Sequence, residues 1–352
     1  MISLKPFQLS GFEDLELSTQ ALISEALKRN VRVEVLDRSS HIIRLKKNDH
    51  VEYVKQATMT SKDSLISYFL MENKVVTKRI LAENGIRVPY GKLYTSPAAA
   101  IQDYKIFSAQ ISVVKPVHTN FGIGVHIIPQ KSENLFHHAV TDAFQHDHMI
   151  LVEEFISGTE YRFLVIGNRV HAILHRVPAN VTGDGKHTIR ELVAIKNNNP
   201  LRGEEYKCPL QFLQLGETEA QVLAEQELHF DSVIEKDHRI FLRKNSNIST
   251  GGDSVDMTDT IHESYKHIAV QAVQAIGVAI CGLDMMIQNI RVPADSQTVI
   301  KKNLPESSPS TQSGNYAIIE LNFNPALHIH TYPSEGKSRD VAGPVLDILG
   351  FY

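Results

Sequence analysis

Val278-Ala-Ile-Cys-Gly-Leu-Asp284-Met-Met-Ile287 reads as part of an apolar strand with one carboxylate in its middle. A buried, unpartnered carboxylate is strongly disfavoured, so Asp284 needs a cation or several donors. Downstream, Ala317-Ile-Ile-Glu320-Leu-Asn322 repeats the pattern. Strand alternation sets Glu320 and Asn322, at i and i+2, on one face. Asp, Glu and Asn offer only hard oxygen donors, which suit Mg²⁺ rather than zinc or copper. Taken singly, each carboxylate fits equally well on an edge strand facing water. The two segments are joined by 294–315, rich in Ser, Pro and Lys, which reads as a solvated, irregular insertion. Pairing of the flanking strands would bring the three groups together.

Around this pair, helices and strands alternate, so the class is α/β or α+β. The pattern predicts a helix over 18–29 and strands near 31–35, 42–45 and 51–54. A helix capped by Ser61 follows, and a continuation over 74–83 stops at Asn84-Gly85. Further strands are expected at 111–114 and 149–152, with a helix over 133–144 between them. Gly167-Asn168 marks a hairpin between strands 161–166 and 169–174. Thr188 and Glu191 form a capping box. Helices are expected at 261–276 and 341–349.

The 352 residues suggest two or three domains. With 36 basic and 40 acidic side chains, the charge of −4 lacks the basic footprint of a nucleic-acid binder. Cys208 and Cys281 are too few for a disulfide framework or a four-thiolate zinc site. No apolar run is long enough for a membrane span, and the first residues do not read as a signal peptide, so the expected compartment is the cytoplasm. The 17 histidines read mainly as ordinary surface or satisfied side chains. His171 and His175 have helical zinc spacing, but on a strand they stand too far apart to share an ion.

Four further stretches carry anion or nucleotide chemistry. Lys115 ends an apolar strand before Pro116, and Lys74 opens a helix, where an anion is favoured. Between His118 and Val125, Gly122 and Gly124 permit a backbone that approaches a phosphate closely. In Val152-Glu153-Glu154-Phe155-Ile156-Ser-Gly-Thr-Glu160, Glu160 can accept both hydroxyls of a ribose, and backbone near Phe155 and Ile156 can read an adenine edge. Arg243-Lys-Asn245-Ser-Asn-Ile-Ser249-Thr-Gly-Gly252 offers donors to an oxyanion or phosphoryl group. Each alone also fits an ordinary surface loop; their co-occurrence beside a hard-metal constellation raises the functional reading.

In this order the motifs resemble the ATP-grasp superfamily. Arg176-Val-Pro-Ala-Asn-Val-Thr-Gly-Asp-Gly185 and Asn247-Ile-Ser-Thr-Gly-Gly-Asp-Ser254 are similar to segments of cyanophycin synthetases and bifunctional glutathione synthetases. Glu52-Tyr-Val-Lys-Gln-Ala-Thr58 and Met71-Glu-Asn-Lys-Val-Val-Thr-Lys78 look closest to the glutathione synthetase half of the bifunctional enzymes. The resemblance runs from about Gly11 onward. It implies an α+β, ATP-grasp fold with a small N-terminal α/β subdomain (1–73), a central subdomain (74–156) and a C-terminal one (157–352).

It also implies phosphoryl transfer from ATP to a carboxylate, followed by attack of an amine. Lys74 and Lys115 would contact ATP, Glu153, Glu154, Phe155 and Ile156 would frame adenine, and Glu160 would hold the ribose. Asp284, Glu320 and Asn322 would bind two Mg²⁺, with Mn²⁺ as a substitute. Arg243, Asn245, Ser249 and Gly252 would stabilise the acyl phosphate. The leading substrates are γ-glutamylcysteine and glycine. The alternatives are another ligase of the cyanophycin synthetase type and a nucleotide-binding module without turnover. The family's N-terminal ligase half is absent, so the chain is expected to be either a piece of a bifunctional enzyme or a stand-alone relative. A homodimer or a separate glutamate–cysteine ligase partner is the expected assembly. His328 and His330 are expected to pack.

Overall fold

A computed structural model of the chain describes residues 5, 7–119, 123–204, 207–299 and 311–352, leaving aside the side chains of 296–299 and 311–313. The Asn120-Phe-Gly122 part of the glycine loop and residues 300–310 of the insertion lie outside the described residues. The centre is a five-stranded antiparallel sheet. Its spatial order is Asp253–Asp256, Arg169–Val177, Thr159–Ile166, Ile280–Ile287, Tyr316–Asn322. The expected hairpin is present, with Gly167 at φ +62°. The Asp284 and Glu320 strands pair as expected. The ends of the insertion are more regular than expected, because Ser296–Val299 and Thr311–Gly314 form an antiparallel ladder.

One sheet face is largely apolar. Tyr161, Phe163, Leu283, Met285 and Ile318 pack there against the helix Glu263–Ile276. That helix buries Tyr265, Ala269, Ala272, Val273 and Ile276, a stripe at helical spacing. His262 caps its start, and Gly277 ends it in the left-handed conformation. The helices Leu65–Glu72 and Lys74–Glu83 pack on the same side. They are separate helices. Asn73 breaks the expected continuation and accepts from the N–H groups of Val75 and Val76. The cap of the first is Ser64 rather than Ser61, whose hydroxyl donates to Glu52.

The opposite sheet face is divided. At one end Leu164, Ile166, Ala172 and Ile280 pack against the helices Leu17–Lys28 and Ala342–Ile348 and the sheet of Arg32–Asp37, Ile42–Lys47 and His50–Lys55. The other end carries Glu160, Arg162, Arg176, Asp284, Glu320 and Asn322 into a cavity. A four-stranded antiparallel sheet, in the order Gly91–Tyr94, Ile150–Glu154, Ser112–Pro116, His126–Ile128, lies beyond it. That sheet packs on the helices Pro97–Gln102 and Glu133–His146. Residues 179–242 hold a further small core around Ile189, Leu223 and Leu242. No helix among the described residues is long and apolar enough to cross a membrane.

Candidate active site

The cavity measures about 620 Å³. Its floor is set by strand register. Asp284 stands opposite Glu320 on one neighbouring strand and opposite Arg162 on the other. From there the pairing steps to Met285 with Ile318, so Ile319 is the extra residue of a bulge. The bulge lets Ile318 and Leu321 both reach the core while Glu320 and Asn322 face the cavity.

Asp284 is 3% exposed. Arg162 donates to both its oxygens, Nη2 to Oδ2 at 2.7 Å. Arg176 Nη2 and Asn322 Nδ2 reach Oδ2 at 3.1 and 3.2 Å. Burial alone pushes the Asp284 carboxyl up; the charges of Arg162 and Arg176 outweigh it and hold the group below its ordinary value. Lys74 Nζ lies 3.3 Å from Glu320 Oε1. Arg176 also bonds Glu160, which accepts from Ser246 Oγ at 3.1 Å.

Beside the cavity, Lys115 and Lys78 each bond one oxygen of Glu153, which is 3% exposed. Burial pushes the Lys78 ammonium down to about 8; Glu153 opposes that shift, while Lys115 adds to it. Glu153 is thus occupied as the shared counter-ion of two lysines rather than facing the cavity. Glu154 accepts from the N–H of Tyr90 at 3.0 Å, and the Phe155 N–H donates to Ile111 O at 3.0 Å. Ile156 is buried. None of Glu153, Glu154, Phe155 and Ile156 lines the cavity, whereas Lys74, Lys115 and Glu160 do.

In the basic loop, Lys244, Asn245, Ser246 and Asn247 line the cavity. Arg243 does not; it pairs with Glu219. Ser249 and Gly252 do not line the cavity. A side chain on Gly252 would sit 2.8 Å from the carbonyls of Asn247 and Val177, and Gly251 has φ +92°. Asp253 anchors this turn through Arg202, Lys196 and Asn180, and Arg202 also donates to Gly251 O at 3.1 Å. The residue that sequence reasoning left without a role is Arg162. The signal was its position two residues after Glu160 on an alternating strand.

The donor set fits a hard divalent cation. Asp284 and Glu320 present carboxylate oxygens on one face; Asn322 turns its Nδ2 to Asp284 and has its Oδ1 as the third hard donor, while Arg162 partly neutralises Asp284.

Residues 13–66 match the model of an ATP-grasp-like domain. Residues 58–236, just over half of the chain, match that of the sugar-transfer associated ATP-grasp family. The chain belongs to the ATP-grasp family. It is 50% identical over 98% of its length to the glutathione biosynthesis bifunctional protein GshAB of Clostridium perfringens, of which it covers 42%. The corresponding protein of Enterococcus faecalis is 45% identical over 98% of the chain, which covers 44% of it. A crystal structure of a bifunctional glutathione synthetase from Pasteurella multocida matches 97% of the chain with a TM-score of 0.77 and 44% identity, and 45% of that protein is covered. The chain therefore spans less than half the length of these relatives.

Proposed function

We propose that the chain is an ATP-dependent carbon–nitrogen ligase, a glutathione synthetase that joins γ-glutamylcysteine to glycine and releases ADP and phosphate. The observation that carries this reading is one cavity where Asp284, Glu320 and Asn322 meet Lys74, Lys115 and the Asn245–Asn247 turn. It gains support from extensive identity to proteins named for glutathione biosynthesis. Phosphoryl transfer asks mainly for positioning and charge neutralisation, which these residue types supply. Lys74 and Lys115 contact the nucleotide phosphates, and Glu160 takes the ribose hydroxyls. The backbone from Glu153 to Ile156 frames adenine. Asn245 and the turn held by Ser249 and Gly252 steady the acyl phosphate, with Arg243 bracing that turn through Glu219. Asp284, Glu320 and Asn322 hold two Mg²⁺, or Mn²⁺ in their place. Bound there, the ions neutralise charge on the transferring phosphoryl group.

The division remains 1–73, 74–156 and 157–352; the four-stranded sheet has its own core, which supports a separate unit within 74–156, whereas 1–73 shares a core with the central sheet. The dipeptide is supplied by a glutamate–cysteine ligase. The test is phosphate release by the purified chain across acid–amine pairs. Release that depends on γ-glutamylcysteine together with glycine is expected. Release only with another pair would move the assignment to a different ligase. Nucleotide binding without ADP formation for any pair would make the chain a non-catalytic module.

A further inference from the structure

Six of the 17 histidines fall within residues 118–148, outside the lining of the cavity. Two of them converge on one carboxylate. His118 Nδ1 lies 3.0 Å from Asp147 Oδ2, and His148 Nδ1 lies 3.0 Å from Asp147 Oδ1. The two imidazoles are stacked, with centroids 5.6 Å apart and planes within 11°. Among the described residues this is the one group of three such side chains whose ligand atoms all lie within 4.8 Å of one another.

The carboxylate is fixed before any ligand arrives. Its side chain is only 4% exposed, and it accepts the backbone N–H of His118 at 2.7 Å and of Met149 at 3.2 Å. Asp147 ends the helix Glu133–His146, and the Val117 N–H donates to Met149 O at 3.1 Å, tying the two donor segments together. The imidazoles reach outward, with side chains 55% and 78% exposed, so an ion can enter without rearrangement of the core.

We infer that His118, Asp147 and His148 form a binding site for a divalent transition ion, Zn²⁺ in the first place. Two imidazole nitrogens and one carboxylate oxygen select zinc or cobalt over magnesium, and three protein ligands leave a position for water. The site is chemically distinct from the all-oxygen set at Asp284. It also sits at a sensitive place. Pro116 and Thr119, on either side of His118, both contribute to the cavity wall. An ion here clips that segment to the strand that follows Asp147.

The test is a Co²⁺ titration of the metal-stripped full chain under saturating Mg²⁺, which fills hard-oxygen sites, read by visible d–d absorption. One saturable equivalent is expected, displaced by Zn²⁺. His148→Ala and His118→Ala should each weaken uptake by at least the roughly tenfold that loss of even an outer-shell partner costs. His146→Ala should leave uptake unchanged, because its ring faces Asp142 at 3.7 Å instead. Because the His148 side chain is 78% exposed, His148→Ala should keep its melting transition, which separates lost ligation from lost folding. No saturable signal, or a signal that either ligand variant leaves intact, would overturn the assignment.

Discussion

Arg162 and Asp284 face each other across adjacent strands, and the guanidinium of one closes over both oxygens of the other. On its far side Asp284 meets Glu320 in register. A buried carboxylate therefore stands between a fixed cation and a second carboxylate. Removing the cation leaves an uncompensated charge, for which Arg176 is only a partial substitute. Arg162→Leu should destabilise the fold by about 3–5 kcal/mol. Adding Asp284→Leu should recover part of that loss, because the two sites are coupled. Urea unfolding of both variants measures it; additive losses would refute the coupling.

Glu320 is different, because it is partly open and its contact with Lys74 is long. A pair of this kind contributes less than about 1 kcal/mol. Glu320→Gln should leave stability nearly unchanged while lowering kcat at least roughly tenfold, through loss of a charged metal ligand. Unaltered turnover in that variant would sink the metal assignment.

Lys115 should matter for nucleotide affinity. A charged hydrogen bond to phosphate is worth about 1.5–3 kcal/mol, so Lys115→Ala should weaken ATP binding about 10- to 100-fold. Lys78 remains to neutralise Glu153, so the variant should stay folded. Calorimetry that returned wild-type affinity would count against the role.

A pH effect follows from two buried histidines. His328 bonds Ser18 Oγ at 2.9 Å, while His330 has no hydrogen-bond partner for either ring nitrogen among the described residues. Burial pushes their imidazoliums down to about 4 and about 3; for His330 the nearby Arg162 adds to the shift. Between pH 6.5 and 3 the unfolded chain holds a proton at His330 that the folded chain refuses. Stability therefore falls with acidification across that window, by about 1.4 kcal/mol per pH unit from this group. His330→Leu should flatten the slope by that amount when unfolding is followed from pH 6.5 to 4.5. An unchanged slope would falsify the linkage.

Much of the central sheet was legible because its signals are local. Gly167-Asn168 announced the hairpin, and apolar runs interrupted by Asp284 and Glu320 announced two neighbouring strands. The expected packing of His328 and His330 also agrees with their burial. The identity of the charge facing Asp284 was less legible. A buried carboxylate demands a counter-charge, but that demand is met equally by an ion or by Arg162, and only register distinguishes them. The side-chain partners of Glu153 were hidden for a related reason. Its place at a strand end suggested a cavity, whereas the lysines that claim it lie 75 and 38 residues away in sequence. The small core of 179–242 was legible only at the Thr188–Glu191 capping box, because its paired strands, Asn180–Thr182 and Arg239–Phe241, are three residues each, too short for periodicity to register.

The two arginines around Asp284 have one more consequence. Many small metalloproteins cannot hold their shape until the ion arrives, because for them the free energy of binding is free energy of folding. Here the buried carboxylate of Asp284 is born with its own neutralising escort, drawn from strands that must assemble anyway. Maturation of the fold is thereby uncoupled from the supply of the ion. Exhaustive chelation should silence such a protein while leaving it intact, ready to be switched on again by the returning salt.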